Sequence, residues 1–560
     1  MKILRVDMSK HAITTEELPP DCLMIGGRGL TAKIMNKEVP PDTDPLGPGN
    51  KLVIAAGPLA GTMAPQMGRI CFGCKSPLTR GIKKSNVGGP AAQKLDKLGI
   101  RAVIVEGAPE PGHWYLLKIA KDGASLEPAD AYVGMNNYRL VEELSKTYGK
   151  RPTFVTIGVA GERRYGAASI ALGDMDGDPC RIAGRGGVGA VMGSKGLKAV
   201  VIDAENTETV ELADPSTFRE TVREWVRVIR KDAGCQLFHT FGTPLAVSSL
   251  SMQGSMATRC YSEGRHEDFR KVSGEAIRDR LWERGGSMHA CMPGCVVQCS
   301  IRYNGPDGQL LCSALEYEAI SLLGTNLDIT ELDDIARLKH RCDDIGIDLI
   351  ETGATLAVAV AGGRLRMGDA GGALKLLDEI EKGDGFGAIL GQGVVETAKF
   401  LNVDRVPAFK GQGLPAHDGR AAKGIGVTYA TSPMGADHNA GLTYKMPGRK
   451  TGQADNSLAF QIRAAACDTI GYCLNSVPGG QASLYGFFAD LLNSRYGTSL
   501  AGNDVIEIAK QTLKDENTFN SGAEFSTIWE PYPAFYRTEP LPPTNRVFDV
   551  DDSEIRGIWD

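Results

Sequence analysis

Apolar residues come in short strand-like runs from Met1 to about Asp203, at Lys51 to Ala56, Ala102 to Glu106 and Lys198 to Asp203, each set off by Gly and Pro turns. This predicts a β-rich opening domain. After the polar stretch Ala204 to Ala213 the period changes. Asp214-Pro215 offers a helix N-cap followed by a proline suited to the first turn, and Phe218 to Ile229 repeats apolar positions at helical spacing. Similar patterns recur at Leu332 to Cys342, Leu349 to Val360, Gly372 to Ile380 and Leu458 to Cys467. The Pro- and Gly-rich stretch Val406 to Gly419 marks a further boundary, and the Pro- and aromatic-rich tail after Glu530 reads as an extended wrap over the surface. The expected fold class is α/β of the α+β kind. It comprises a β-rich domain at 1–207 and two mainly helical domains at 208–408 and 409–560, with no solenoid period.

Two of the helical segments end alike. Cys342-Asp-Asp-Ile-Gly-Ile-Asp348 is echoed by Cys467-Asp-Thr-Ile-Gly-Tyr-Cys473, and in each a helix runs into Asp-x-x-Gly, where glycine can take the left-handed turn that ends it. Two similar cradles suit two similar halves of a ligand. Their last positions differ, Asp348 against Cys473. That difference gains meaning from Cys291, Cys295 and Cys299, three thiols beside Pro293-Gly294, a pair that favours a loop. An iron-sulfur cube usually needs four thiolates, and Cys473 is the candidate fourth. Two other readings of the triplet stand beside this one: unrelated buried thiols, or a radical adenosylmethionine cluster. The latter usually closes with two intervening residues and an eightfold strand-helix alternation, neither of which is present. His289 adjoins the triplet and can be read as a substitute ligand or as a hydrogen-bonding neighbour.

Composition narrows the function. The 560 residues carry a net charge of -6 with scattered basic residues, which argues against nucleic acid. The start lacks an apolar signal core, and no apolar run reaches the roughly 20 residues of a membrane span, so a cytoplasmic location is expected. In that setting the 13 cysteines read as thiols or metal ligands, and Cys71 and Cys74 as structural. Gly184-Arg-Gly-Gly-Val-Gly189 formally matches a dinucleotide fingerprint, yet a polar segment precedes it where a strand should stand. The general reading is a phosphate cradle of open backbone amides flanked by Arg181 and Arg185, with Arg69 and Asn86-Val-Gly88-Gly89 suggesting the same chemistry.

Gly68-Arg69, Lys75-Ser-Pro-Leu-Thr79, Asn86-Val-Gly88-Gly89, Arg181 to Gly189, Glu316-Tyr-Glu318, the paired Asp-x-x-Gly elements and Ala430-Thr-Ser-Pro-Met-Gly435 leading to His438 together resemble the tungsten-containing aldehyde ferredoxin oxidoreductase family. Most of the chain takes part. The resemblance implies a tungsten (or molybdenum) ion between two pyranopterins of the molybdopterin type, one 4Fe-4S cluster and a magnesium ion. It implies that Asp343, Asp348 and Asp468 hydrogen-bond the pterins, with Tyr472 in the same binding set. Arg69 and Arg181 would hold the phosphates, with Arg185 and Gly88 in the same cofactor-binding set, and Asn86 with the Ile182 carbonyl would orient magnesium. Cys291, Cys295, Cys299 and Cys473 would ligate the cluster. Glu318 matches the family's glutamate over the metal, a general base whose pKa burial can raise, and His438 matches the histidine that donates to the substrate oxygen. The bland alternatives are a helix-surface salt bridge for Glu318 and a core histidine for His438. One departure stands out: Cys291 and Cys295 are separated by three residues, where the family has two.

The implied activity is oxidation of aldehydes to carboxylates, with electrons passed through the cluster to ferredoxin or a ferredoxin-like subunit. A second reading is the catalytic subunit of a larger reductive complex, such as one reducing an aromatic acyl-CoA ring. A reading of another class is an iron-sulfur electron carrier. A homo-oligomer is compatible with each.

Overall fold

The computed structural model describes residues 1–207, 210–444, 446–479, 482–525 and 532–559. Two six-stranded mixed sheets form the first part. The first is ordered β2-β1-β6-β3-β4-β5, from β1 (Lys2–Asp7), β2 (Ala12–Glu17), β3 (Leu52–Ala56), β4 (Ile70–Lys75), β5 (Ile82–Val87) and β6 (Ile100–Glu106). The second is ordered β11-β10-β9-β12-β7-β8, from β7 (Tyr115–Ala120), β8 (Gly123–Pro128), β9 (Thr153–Thr156), β10 (Ile170–Leu172), β11 (Arg181–Ala183) and β12 (Leu197–Ile202). Successive strand side chains point to opposite faces. On β3, Leu52, Ile54 and Ala56 therefore enter the core shared by the two sheets, while Val53 and Ala55 enter a second core under helix α1 (Gly27–Glu38). Because both faces are covered, every residue of β3 is buried and the run reads as uniformly apolar.

The rest is mainly helical. Helix α2 (Pro215–Lys231) starts where the sequence predicts, the Asp214 carboxylate accepting from the amides of Ser216 and Thr217 at 3.0 Å. Helix α3 (Ala233–Phe241) follows it. Helices α4 (Tyr317–Leu322), α5 (Leu332–Ile345) and α6 (Leu349–Ala361) form one side of the middle, and α7 (Gln453–Ile470), α8 (Ala482–Tyr496) and α9 (Gly502–Ser521) pack together, with α7 and α9 also against α1. A buried pair, Arg28 of α1 with Glu516 of α9 at 2.7 Å through both oxygens, joins the start of the fold to its last long helix.

Two features depart from expectation. A three-stranded sheet, β13 (Ser287–His289), β14 (Ser300–Asn304) and β15 (Leu310–Ser313), interrupts the helices and presents the cysteine triplet on the loop between its first two strands. The tail, expected as an extended surface wrap, instead contributes Phe535, Tyr536, Phe548 and Val550 to the large helical core and forms a short helix at Phe535–Thr538. Its aromatic side chains each remove a large apolar area from water, which outweighs the Pro-rich signal. Among the described residues no helix is long and apolar enough to cross a membrane.

Candidate functional site

The twin sequence elements become twin structural elements. Gly346 and Gly471 take φ of 79° and 86°, and their amides close the helix ends onto the carbonyls of Cys342 (3.0 Å) and Cys467 (2.8 Å). The preceding isoleucine carbonyls press on glycines of the sheet domain: a Cβ at Gly158, after β9, would lie 2.2 Å from the Ile345 oxygen, and one at Gly57, after β3, 2.1 Å from that of Ile470. Each helix end thus docks on one of the two sheets through backbone that only glycine allows.

Between these docking points lies a cavity of about 540 Å³. It opens between the edge strands β5 and β11 and is covered by α4, α5 and the 3-10 turn His438–Ala440. It gathers Arg69, Asn86, Gly88, Arg181, Ile182, Arg185, Cys291, Cys299, Glu318, Asp343, Asp348, His438 and Cys473 from positions scattered along the chain.

The three aspartates are held differently. Asp343 pairs with Lys339 one helical turn earlier, yet burial dominates and pushes its carboxyl up to about 6. Asp348 caps α6 through the Ile350 amide (3.0 Å) and faces Arg185 Nε at 3.3 Å. Asp468 stands one layer behind the cavity, pairing with Lys84 and the Asn86 amide and facing Arg28 at 3.5 Å. Tyr472 is a correction to the expected cofactor set. Its hydroxyl accepts from Trp225 Nε1 (3.1 Å) and donates to the Ser476 carbonyl (2.8 Å), and its ring packs on Phe488, so the side chain is spent inside the helical core.

The cysteines converge. Cys291 and Cys473 share one buried apolar cluster against which Cys295 packs, and Cys299 lines the same cavity. Cys295 is only partly buried and lies beside exposed Gly294, so the cluster loop reaches the surface there. Cys295, aided by the guanidiniums of Arg181 and Arg69, holds the Cys291 thiol below the usual thiol range, which favours the thiolate that metals need. Gln66 ties the ligand segments together. Its amide donates to the Gly294 carbonyl (3.2 Å), its carbonyl accepts from the Cys473 amide (3.1 Å), and its side-chain oxygen, in the orientation that satisfies both neighbours, accepts from Val296 (2.9 Å) and Val297 (3.1 Å). His289 has both ring nitrogens engaged, with the Ser300 carbonyl (3.2 Å) and Asp174 (3.0 Å), as a hydrogen-bonding neighbour should.

Glu318 opens α4 and meets two imidazoles. His417 Nε2 lies 2.9 Å and His438 Nε2 3.7 Å from its Oε1, while Oε2 accepts from the Ala416 amide at 2.9 Å. The expected upward shift of Glu318 is overturned: burial does oppose ionisation, but the two histidines and that amide outweigh it and hold the carboxyl at about 2. Burial pushes the His438 imidazole down to about 4, so at neutral pH an anionic carboxylate faces a neutral ring. His438 is fixed by its neighbour Asp437, which Lys83 grips at 2.7 Å. His417, Lys83, Lys84 and Lys339 carry much of this geometry and stand in none of the recognised motifs.

The glycine tract is a second correction. Gly186 and Gly187 take positive φ (80° and 73°), but a Cβ on them would strike Lys83 (2.5 Å) and the Gly166 carbonyl (2.5 Å). Their service is close packing within the domain, and of the tract's glycines only Gly184 reaches the cavity. Arg181 does reach it, steadied by Ser300 (3.0 Å) and Glu316 (3.1 Å). Asn86 and Ile182, the expected magnesium pair, both line the cavity, and each oxygen of Asn86 accepts one hydrogen bond from Arg69, at 2.7 and 3.1 Å.

A large polar group does fit. Asp348 Oδ2, Arg185 Nη1 and His438 Nδ1 are buried polar atoms of the cavity residues without a directed hydrogen bond inside the described protein. Each such atom costs about 1–3 kcal/mol unless a ligand or water meets it. Donors and acceptors of both charges are thus poised around one space, with four convergent thiols at its side.

The chain is similar to known proteins over most of its length. Residues 3–204 match the family model for the N-terminal domain of aldehyde ferredoxin oxidoreductase, and residues 220–551 the model for its domains 2 and 3. The chain is 33% identical over 573 residues to the tungsten-containing aldehyde ferredoxin oxidoreductase of Pyrococcus furiosus, covering 97% of this chain and 92% of that protein. The Thermococcus kodakarensis enzyme of the same name is 33% identical with the same shares covered. The aliphatic sulfonate oxidoreductase WOR-like subunit of Pyrococcus furiosus is 29% identical over 84% of this chain and 79% of that protein. In fold the chain matches the active site complex BamBC of benzoyl coenzyme A reductase bound to 1,5-dienoyl-CoA, with a TM-score of 0.82 at 20% identity, covering 100% of this chain and 92% of that one.

Proposed function

Because this chain belongs to the aldehyde ferredoxin oxidoreductase family and is an oxidoreductase of that type, we propose that it oxidises an aldehyde to its carboxylic acid and delivers the electrons singly to ferredoxin or a similar iron-sulfur protein. The observation that carries this reading is the sharing of one cavity by Glu318 and His438, by Asp343 and Asp348 from the twin elements, and by the thiols of Cys291, Cys299 and Cys473.

The tungsten bis-pyranopterin of the family, bound between the two helix ends, would supply a two-electron sink. The chain's own residues do the rest. Asp343 and Asp348 supply hydrogen-bond partners on the α5 side and Asp468, through Lys84 and Asn86, on the α7 side, while Arg69 and Arg181 offer positive charge to phosphates. Anionic Glu318 takes a proton from water adding to the aldehyde carbon, and neutral His438 orients the carbonyl oxygen. Aldehyde plus water becomes carboxylic acid with loss of two protons and two electrons. Cys291, Cys295, Cys299 and Cys473 would hold a 4Fe-4S cluster beside the cavity, and Cys295, partly buried next to exposed Gly294, marks the side from which single electrons leave.

Native protein should contain about one tungsten or molybdenum and about four cluster irons per chain, and should reduce viologen dye with aldehydes. Iron without a group 6 metal would turn the reading toward an electron carrier, and dye chemistry with aromatic thioesters alone toward a reductive subunit. Cys473→Ala should abolish the reduced-state paramagnetic signal, and an unchanged signal would remove Cys473 from the ligand set.

A further inference from the structure

We propose that His417 is the positioning residue of Glu318 and the first acceptor of the proton Glu318 takes up, with Tyr444 passing that proton on toward solvent. The inference rests on the reading of Glu318 as a base and deepens it. His417 is 4% exposed and wedged between two partners: Glu318 Oε1 lies 2.9 Å from its Nε2, and the Tyr444 hydroxyl 3.0 Å from its Nδ1. Its ring rests on Tyr317 at a centroid distance of 5.0 Å, and its carbonyl accepts from the Tyr429 hydroxyl at 3.2 Å, so ring and backbone are both fixed. The adjoining Ala416 amide holds the other carboxylate oxygen, which makes residues 416 and 417 one clamp on Glu318.

The remaining charged groups near Glu318 are committed elsewhere. Asp437 is gripped by Lys83 at 2.7 Å, and Arg185 is divided between Asp348 (3.3 Å) and the Gly413 carbonyl (2.6 Å). His438 approaches Glu318 to 3.7 Å, but its Nδ1 has no protein partner among the described residues, so no onward path runs through it. Among the described residues, His417 is the group that links the carboxylate to a further protonatable side chain, the hydroxyl of partly exposed Tyr444.

Each aldehyde converted sends two electrons to the one-electron iron-sulfur acceptor and releases two protons, so Glu318 must shed a proton before it can take another. With its proton on Nδ1, donated to the Tyr444 oxygen, His417 offers a bare Nε2 to protonated Glu318; when the proton transfers, imidazolium releases the other one through Tyr444. Which tautomer rests in the protein is an assignment from these contacts.

The test compares His417→Ala, His417→Gln and Tyr444→Phe with Glu318→Gln, in dye-linked aldehyde oxidation across pH. Both His417 variants should lose roughly 10- to 100-fold in kcat with KM little changed and metal content intact, and added imidazole should restore part of the rate to His417→Ala alone. Tyr444→Phe should slow turnover less and shift the acidic limb of the profile. A readout without turnover comes from ¹⁵N-histidine spectra of protein produced without tungstate, where the resonance missing in His417→Gln identifies His417. That resonance should move in both Glu318→Gln and Tyr444→Phe. Unchanged kcat and pH profile in the His417 variants, with Glu318→Gln inactive, would overturn this inference alone. Wild-type turnover in Glu318→Gln would overturn the base reading beneath it. Should His417→Ala lose metal, His417→Gln and the spectra decide, and a His417 resonance indifferent to both partners counts against the proposal.

Discussion

The carbonyl of Gln66 accepts from the amide of Cys473 at 3.1 Å, while the amide of Gln66 donates into the cysteine loop at Gly294. A single buried residue thereby sets the spacing between the two cysteine-bearing segments. Gln66 does so at φ 66°, left-handed backbone that costs a side-chain-bearing residue about 1–3 kcal/mol and is kept only where the surroundings enforce it. Gln66→Ala removes the side-chain clamp on Val296 and Val297, and we expect a folded protein with iron below about four per chain and a broadened reduced-state signal. Full iron content with an unaltered spectrum would show the clamp to be dispensable.

Gly88 gives a sharper probe of the cluster wall. A Cβ built there would lie 3.2 Å from the Cys291 sulfur, tighter than ordinary contact, while touching no aspartate of the twin elements. Gly88→Ala should perturb the cluster, through iron content or reduction potential, and leave group 6 metal content unchanged. Loss of both metals together would mean that the strand end itself had moved.

His438 makes stability depend on pH in a defined window. Its folded pKa of about 4 lies below the ordinary 6.5, so as pH falls below 6.5 the unfolded chain takes up the proton first and the fold loses stability, levelling off near 4. The full loss is about 3 kcal/mol at about 1.4 kcal/mol per unit. Glu318, held at about 2, loses its contribution only at lower pH, between its ordinary 4.5 and that value. In His438→Asn the fall in Tm between pH 7 and pH 5 should shrink relative to the parent, both proteins being produced without tungstate. An identical fall in the two would refute the assignment.

Lys339→Met would leave Asp343 buried without its cation. Breaking one side of a buried pair costs about 3–5 kcal/mol, whereas removing both charges costs far less. Denaturant midpoints should therefore drop for Lys339→Met and largely recover in Lys339→Met with Asp343→Asn. A single variant as stable as the parent would mean that Asp343 is already neutral in the fold, as its elevated pKa allows at low pH.

What the sequence made legible was local. The Asp214 cap, the left-handed glycines of the twin elements and the loop that carries the cysteine triplet each follow from a few neighbouring residues. What it hid was set by distant partners. Lys83 and Lys84 make β5 look like a solvated strand, yet both are buried because Asp437 and Asp468 arrive from far along the chain to neutralise them. His417 stands in a Pro- and Gly-rich stretch that reads as a mere boundary, and its role emerges only when α4 brings Glu318 beside it. The direction of the Glu318 shift failed for the same reason: burial alone argues upward, and the imidazoles that reverse it are invisible until the chain is folded.

The Arg28–Glu516 pair has a bearing on how such an enzyme comes into being. A fragment ending before α9 would leave the Arg28 guanidinium only the more distant carboxylate of Asp468, at 3.5 Å, in place of its two-oxygen partner Glu516. The helix over Val53 and Ala55 is thus clamped by a residue 488 positions further along, so the opening sheet gains its full bracing only when the last long helix has docked.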